Sequence, residues 1–174
     1  MSEVAAVGSD RAVRVPAAAL ARLVALLLPL ALLAGAYGSQ YFGGLYPCEM
    51  CWWQRYAHFA ALVFAVPAFL FPAQSRASRT LVLLGALAIA VSGGIGVYHA
   101  GVEAKIFEGF TQCTALSNSS STADLLKQIT HAPLVRCDEV QFRFLGISMA
   151  GWNAIISLGG ASLILLLSLR GRRA

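Results

Sequence analysis

The chain has 174 residues, 58% hydrophobic and 12% charged, with a net charge of +5. Soluble domains are about one quarter charged, so water does not cover most of this surface and a soluble domain is set aside. The positive excess sits where membrane topology would put it, which leaves no basic face for nucleic acid.

Residues 1–16 form a tail carrying Arg11 and Arg14. Four apolar windows follow, at residues 17–38, 53–71, 80–100 and 148–169. Each holds about 20 residues, and a helix of that length crosses the roughly 30 Å hydrocarbon core. Lipid cannot satisfy open backbone polar groups, so the windows are predicted to be helices, with kinks at Pro29 and Pro67. Arg11, Arg14 and Arg22 stand at the first window, Arg76 and Arg79 between the second and third, and Arg170, Arg172 and Arg173 after the fourth. With four spans these eight arginines fall on one side. Basic residues stay in the cytoplasm. The expected fold is therefore an all-α membrane protein, a four-helix transmembrane bundle with both termini cytoplasmic. A short loop, 39–52, and a long loop, 101–147, face outward. A cleaved secretory leader over residues 1–36 is the competing reading, with "AGA" at 34–36. The apolar run is long for a leader, and four spans fit the arginines better. Thr122 is placed to cap a short amphipathic helix through Ile129, which Pro133 would stop.

All the cysteines fall in the outward loops. Cys48 and Cys51 form a C-x-x-C pair at the mouth of the second window, and Cys113 and Cys137 lie in the long loop. An oxidising compartment lets disulfides persist there. A bridge closing a loop of about 25 residues would contribute roughly 3.5 kcal/mol, so one structural disulfide is reasonable. The tiny Cys48–Cys51 loop gains little in that way. Zinc is disfavoured, because the two pairs do not match paired C-x-x-C knuckles. A reversible redox pair fits C-x-x-C best.

A helix starting near Met50 puts Cys51, Arg55, His58 and Leu62 on one stripe. Arg55 at the bilayer centre would cost at least about 2.5–3.5 kcal/mol, and near the outer interface less. It is read either as snorkelling to lipid phosphate or as stabilising a thiolate and polarising an acceptor's oxygen. His58, Trp52 and Trp53 are weaker signals, since Trp belongs to interfacial belts. His99 closes the third window at the same level. Arg55 and His99 could bracket an apolar ring with two carbonyls, such as a quinone.

Three stretches carry a family likeness: "PCEMCWWQR" at the second window, "YHAGVE" at the end of the third, and "FRFLGISMAGWN", shortly after Cys137, entering the fourth. With the four windows and two cysteine pairs, the chain resembles the disulfide bond formation protein B (DsbB) family over roughly residues 20–169. The resemblance implies a bacterial inner-membrane thiol oxidase with periplasmic loops, which reoxidises a DsbA-like thioredoxin-fold dithiol protein. It implies that the partner's thiolate attacks Cys113, that Cys137 then exchanges with Cys48, and that Cys51 lies beside the quinone. Arg55 and His99 are implied quinone contacts, and ubiquinone or menaquinone is the implied acceptor. DsbA is itself a strong oxidant, at about −120 mV, so its reoxidation needs an acceptor of higher potential. Gln54 stands where some members carry glutamate, and it is given no role. The Cys113–Cys137 spacing is slightly short for the family. A vitamin-K-epoxide-reductase-like enzyme is a second reading, although there the quinone-facing C-x-x-C lies late in the chain. A non-enzymatic membrane protein with structural disulfides is a third.

Overall fold

The structure, a computed structural model, describes residues 16–109 and 135–170. Cys113 and the helix expected over 122–129 lie outside the described residues.

Among the described residues four α-helices make up the body: α1 (Ala17–Tyr41), α2 (Glu49–Ala65), α3 (Arg76–Glu103) and α4 (Met149–Arg170). They form a ring in which α1 packs on α2 and α4, and α3 packs on α2 and α4. The helices alternate in direction. The end of α1 meets the start of α2 through Arg55 and Gln40, and the start of α4 meets α2 and α3 through Asn153, Gln54 and Ser92.

Among the described residues three helices, α1, α3 and α4, are long and apolar enough to cross a membrane. The expected second span, 53–71, is redrawn. Helix α2 starts earlier, is 17 residues long and gives way to a 3₁₀ turn, Pro67–Leu70. Pro67 is the cause, since proline lacks the N–H an α-helix needs and crowds the preceding turn. Helix and turn together rise about 33 Å, near the bilayer core thickness. Pro29, by contrast, stays inside α1, which runs on without a break. Arg22 of α1 closes the turn by donating to the carbonyls of Phe71 at 3.0 Å and Ala68 at 3.4 Å, with its guanidinium over the Phe69 ring.

The outward faces are apolar: Leu27, Val63, Leu87 and Leu166 are all exposed. The inward faces are built from small residues, including Ala61, Ala65, Ala86, Ala150 and Ala154. Without a hydrophobic force between helices in lipid, close backbone packing holds such bundles together. Gly96 is the tightest backbone approach between helices: a Cβ there would lie 3.0 Å from the Ala150 oxygen and 3.0 Å from the Ala154 nitrogen. Gly96→Val is expected to wedge α3 from α4 and cost about 1–3 kcal/mol, read as a lower unfolding midpoint in detergent. An unchanged midpoint would show the contact to be slack.

The all-α expectation needs one small amendment. Strands β1 (Arg143–Phe144) and β2 (Ile147–Ser148) pair antiparallel just before α4. Leu145 and Gly146 turn the hairpin at φ 52° and 81°, the positive pair that a two-residue type I′ turn requires. The Trp152 indole N–H donates to the Phe144 carbonyl at 2.9 Å and ties the hairpin to α4.

Candidate active site

Cys48 caps α2. Its Sγ accepts the Cys51 N–H at 3.4 Å, which satisfies one of the open donors of the first turn. That cap brings the two sulfurs to 2.9 Å. Cys137 is fully buried in the same cluster and is hydrogen-bonded to Cys48. Cys48 is thus the middle sulfur of three. Its contacts with Cys137 and then Cys51, followed by burial, push its thiol well above the ordinary cysteine range. In this arrangement Cys48 is a protonated thiol.

Salt links hold Cys137 in place. The Lys105 ammonium donates to the Asp138 carboxylate at 2.6 Å, and Arg136 grips both oxygens of the same group at 2.9 and 2.8 Å. Gln141 adds a bond to the Tyr46 carbonyl at 2.8 Å, joining the segment to the short loop. Arg136, and after it Lys105, hold the Asp138 carboxyl well below the usual carboxylate range. A depressed folded value makes the anchor fully present above about pH 4, the ordinary carboxylate value. It is lost as pH falls through the lower folded value. Asp138→Asn is expected to speed amide exchange across residues 135–140 by a few fold at neutral pH. In the unmodified chain that exchange should show no pH-linked loosening between pH 5 and 8 beyond the intrinsic rate. Equal rates in both proteins would remove the anchor from the account.

Arg55 is buried, not snorkelling. Its guanidinium donates to Gln40 Oε1 at 2.6 Å and to the Ala36 carbonyl at 3.0 Å, and it lies 4.6 Å from the Tyr37 ring centre and 5.0 Å from that of Trp52. It therefore sits against the C-terminal turns of α1, where open carbonyls favour a cation. Leu62, placed on the same stripe from sequence, is only half-buried, whereas Gln54 belongs to the buried face.

Gln54 corrects the sequence reading most sharply, because it is a hub. Its amide nitrogen donates to the Met50 carbonyl at 3.1 Å and to His99 Nδ1 at 3.0 Å, and its oxygen accepts from Asn153 at 2.8 Å. The Met50 carbonyl can only accept, so that end of the amide is nitrogen. His99 Nδ1 is therefore the accepting lone pair, and the ring hydrogen is on Nε2. That Nε2 lies 3.6 Å from Cys48 Sγ and 3.8 Å from Glu103 Oε1, and His99 also bonds the Cys137 backbone. His99 thus gives a hydrogen to the sulfur cluster instead of taking one.

Cys48, Cys51 and His99 place three metal-capable donor atoms within 4.8 Å of one another. The tautomer argues against using them together. A metal on Nε2 would displace the hydrogen while Nδ1 still faces an amide donor, the reverse of the usual outer contact.

A second buried set extends inward. Asn153 donates to Gln54 Oε1 and to the Ser92 carbonyl at 3.2 Å, so its oxygen faces His58 Nε2, 3.0 Å away. Ser92 donates to the Gln54 carbonyl at 3.1 Å and lies 2.9 Å from His58 Nε2. Sequence reasoning passed over Ser92 and Asn153, and gave His58 little weight. The available signal was an amide and an imidazole in otherwise apolar spans, groups that lipid does not tolerate unpaired.

Cys48, Cys51, Gln54, His58, His99 and Asn153 open onto a cavity of about 290 Å³. Leu32, Leu33 and Ala36 supply apolar wall, while Cys51, Arg55, His58 and His99 supply polar lining. Apolar walls with a few convergent polar groups suit a small ring compound.

The sequence family model for disulfide bond formation protein DsbB matches residues 18–167. The chain belongs to the DsbB family. Among curated relatives named disulfide bond formation protein B, that of Methylococcus capsulatus is 34% identical over 157 residues, covering 87% of this chain and 94% of the relative. That of Xanthomonas oryzae pv. oryzae is 30% identical over 158 residues, covering 87% and 91%. That of Acinetobacter baylyi is 32% identical over 152 residues, covering 83% and 86%. No solved structure matches the chain significantly. A DsbB-family chain with three long apolar helices is a membrane protein of disulfide bond formation, an oxidoreductase of thiols.

Proposed function

We propose that this protein reoxidises a DsbA-like periplasmic dithiol protein and passes the electrons to a membrane quinone, ubiquinone or menaquinone. The contact of Cys48 with both Cys51 and Cys137 carries the reading. Exchange requires a thiolate to attack one sulfur of a disulfide and expel the other. A middle sulfur flanked by both candidate partners meets that need.

In the proposed relay the partner's thiolate attacks Cys113 of a Cys113–Cys137 disulfide and expels Cys137 as thiolate. Cys137 then attacks Cys48 of a Cys48–Cys51 disulfide, forming Cys48–Cys137 and expelling Cys51. The His99 Nε2–H donates to whatever negative charge gathers on the Cys48 sulfur. Arg55, one helical turn beyond Cys51, offers a fixed positive charge to the expelled thiolate. The cavity fits a quinone ring by its size, its apolar wall and the buried Arg55 guanidinium in its lining. Cys51, Arg55 and His99 would hold it. A bound quinone supplies an acceptor for two electrons and two protons.

Four spans, with α2 and its 3₁₀ turn as the second, belong to this reading. So do cytoplasmic termini, periplasmic loops and an inner-membrane location. Arg22, Arg76, Arg79 and Arg170 all lie at the end of the bundle away from the sulfurs, as the positive-inside rule requires. The direct test mixes purified full-length protein, a short-tailed quinone and a reduced thioredoxin-fold dithiol partner. Catalytic loss of partner thiols matched mole for mole by quinone reduction is the expected result. Thiol loss without quinone reduction would overturn the proposed acceptor.

A further inference from the structure

The buried network around His58 leaves one atom unmatched. Asn153 Nδ2 is fixed as nitrogen by the Ser92 carbonyl, and the Ser92 hydroxyl hydrogen is committed to the Gln54 carbonyl. Both groups therefore present acceptors to His58 Nε2, so the ring hydrogen sits there. Nδ1 of neutral His58 is then a bare lone pair. The side chain is 3% exposed, Nδ1 has no hydrogen-bond partner among the described residues, and His58 lines the cavity. A buried acceptor left unmade is costly, and the loss is recovered when a ligand supplies the donor.

We infer that His58 Nδ1 is the binding group for a ring hydroxyl, so that the cavity holds a hydroxyl-bearing aromatic ring more tightly than the same ring without that donor. The inference rests on the quinone reading above and adds a preference to it. A quinone ring offers only accepting oxygens, which cannot satisfy a lone pair. Its reduced form carries O–H groups, which can. Tighter binding of the reduced form makes the bound ring a stronger oxidant by linkage. A five- to tenfold preference equals about 20–30 mV for a two-electron couple. The sulfur relay needs a high-potential acceptor, and the shift is in that direction.

The test uses full-length protein in nanodiscs and ring probes that undergo no redox chemistry: an alkyl-tailed phenol and its methyl ether. Calorimetry should give tighter binding of the phenol than the ether by about five- to tenfold. His58→Leu should abolish that ratio while changing the ether's affinity less than twofold. His58→Gln, which keeps one donor and one acceptor, should retain part of it. Ser92→Ala should keep the ratio, because Asn153 still holds the His58 tautomer. If His58→Leu does not fold, a lower ratio in His58→Gln with an intact ratio in Ser92→Ala supports the assignment. Equal ratios in wild type and His58→Leu overturn it, as does equal weakening of both probes. A wild type that binds a tailed quinone but does not distinguish phenol from ether sinks this inference alone. One that binds none of the three removes the quinone reading as well.

Discussion

Cys51→Ser is expected to lower quinone-linked oxidation of the partner by roughly three orders of magnitude or more. A serine hydroxyl neither forms a disulfide nor leaves as a stable anion at neutral pH, so the innermost step has no substitute. The variant should also reveal where electrons stop. With Cys51 gone, Cys48 can pair only outward, and Cys137 is already hydrogen-bonded to it. A Cys48–Cys137 bridge should therefore accumulate, formed when Cys48 as thiolate attacks Cys137 of the Cys113–Cys137 disulfide and expels Cys113, and mass mapping after a thiol quench would show it. The cluster's depth assists this trapping. Cys137 and Cys48 are almost fully buried, so water-borne thiols reach the bridge slowly. Turnover near the wild-type rate in Cys51→Ser would end the relay account, whatever the mapping found.

The sequence carried the large features because they follow from one-dimensional signals. Apolar length marks helices α1, α3 and α4, and the C-x-x-C spacing marks Cys48 and Cys51 at a helix start. The pairing of Cys137 with that start was not written in any spacing; it came only with the family likeness. Pro67 was visible as a disturbance, but whether a proline bends a helix or ends it depends on what its neighbours can satisfy. Here Arg22, 46 positions from Ala68, takes up the freed carbonyls. Such partners cannot be found by local pattern. The same reason hid Gln54. Its significance lies in reaching His99 and Asn153, 45 and 99 positions away, and a family comparison that looked for glutamate led away from it. Leu145 at positive φ illustrates a further limit, since nothing in a leucine announces that geometry.

Arg55→Met is expected to raise the quinone KM about tenfold or more, with a smaller fall in kcat. Two roles are combined in this side chain, and the variants separate them. As a clamp it joins α2 to the end of α1 through Gln40 Oε1 at 2.6 Å and the Ala36 carbonyl at 3.0 Å. Hydrogen bonds to charged groups contribute about 1.5–3 kcal/mol each, and the Tyr37 and Trp52 faces add about 0.5–2 kcal/mol. Methionine fills much of the volume but supplies none of these, so the unfolding midpoint should fall too. Arg55→Lys restores the charge but not the planar fork, and it cannot serve two acceptors and two ring faces in one pose. It should recover KM only in part. Gln40→Leu provides the separating measurement, because it breaks the shortest clamp contact and leaves the guanidinium in the cavity wall. If the charge itself serves the ring, Gln40→Leu lowers stability while shifting KM by less than about threefold. If KM rises equally in Gln40→Leu and Arg55→Met, Arg55 acts only by holding α1 against α2, and the fixed cation beside Cys51 has no direct part in acceptor binding.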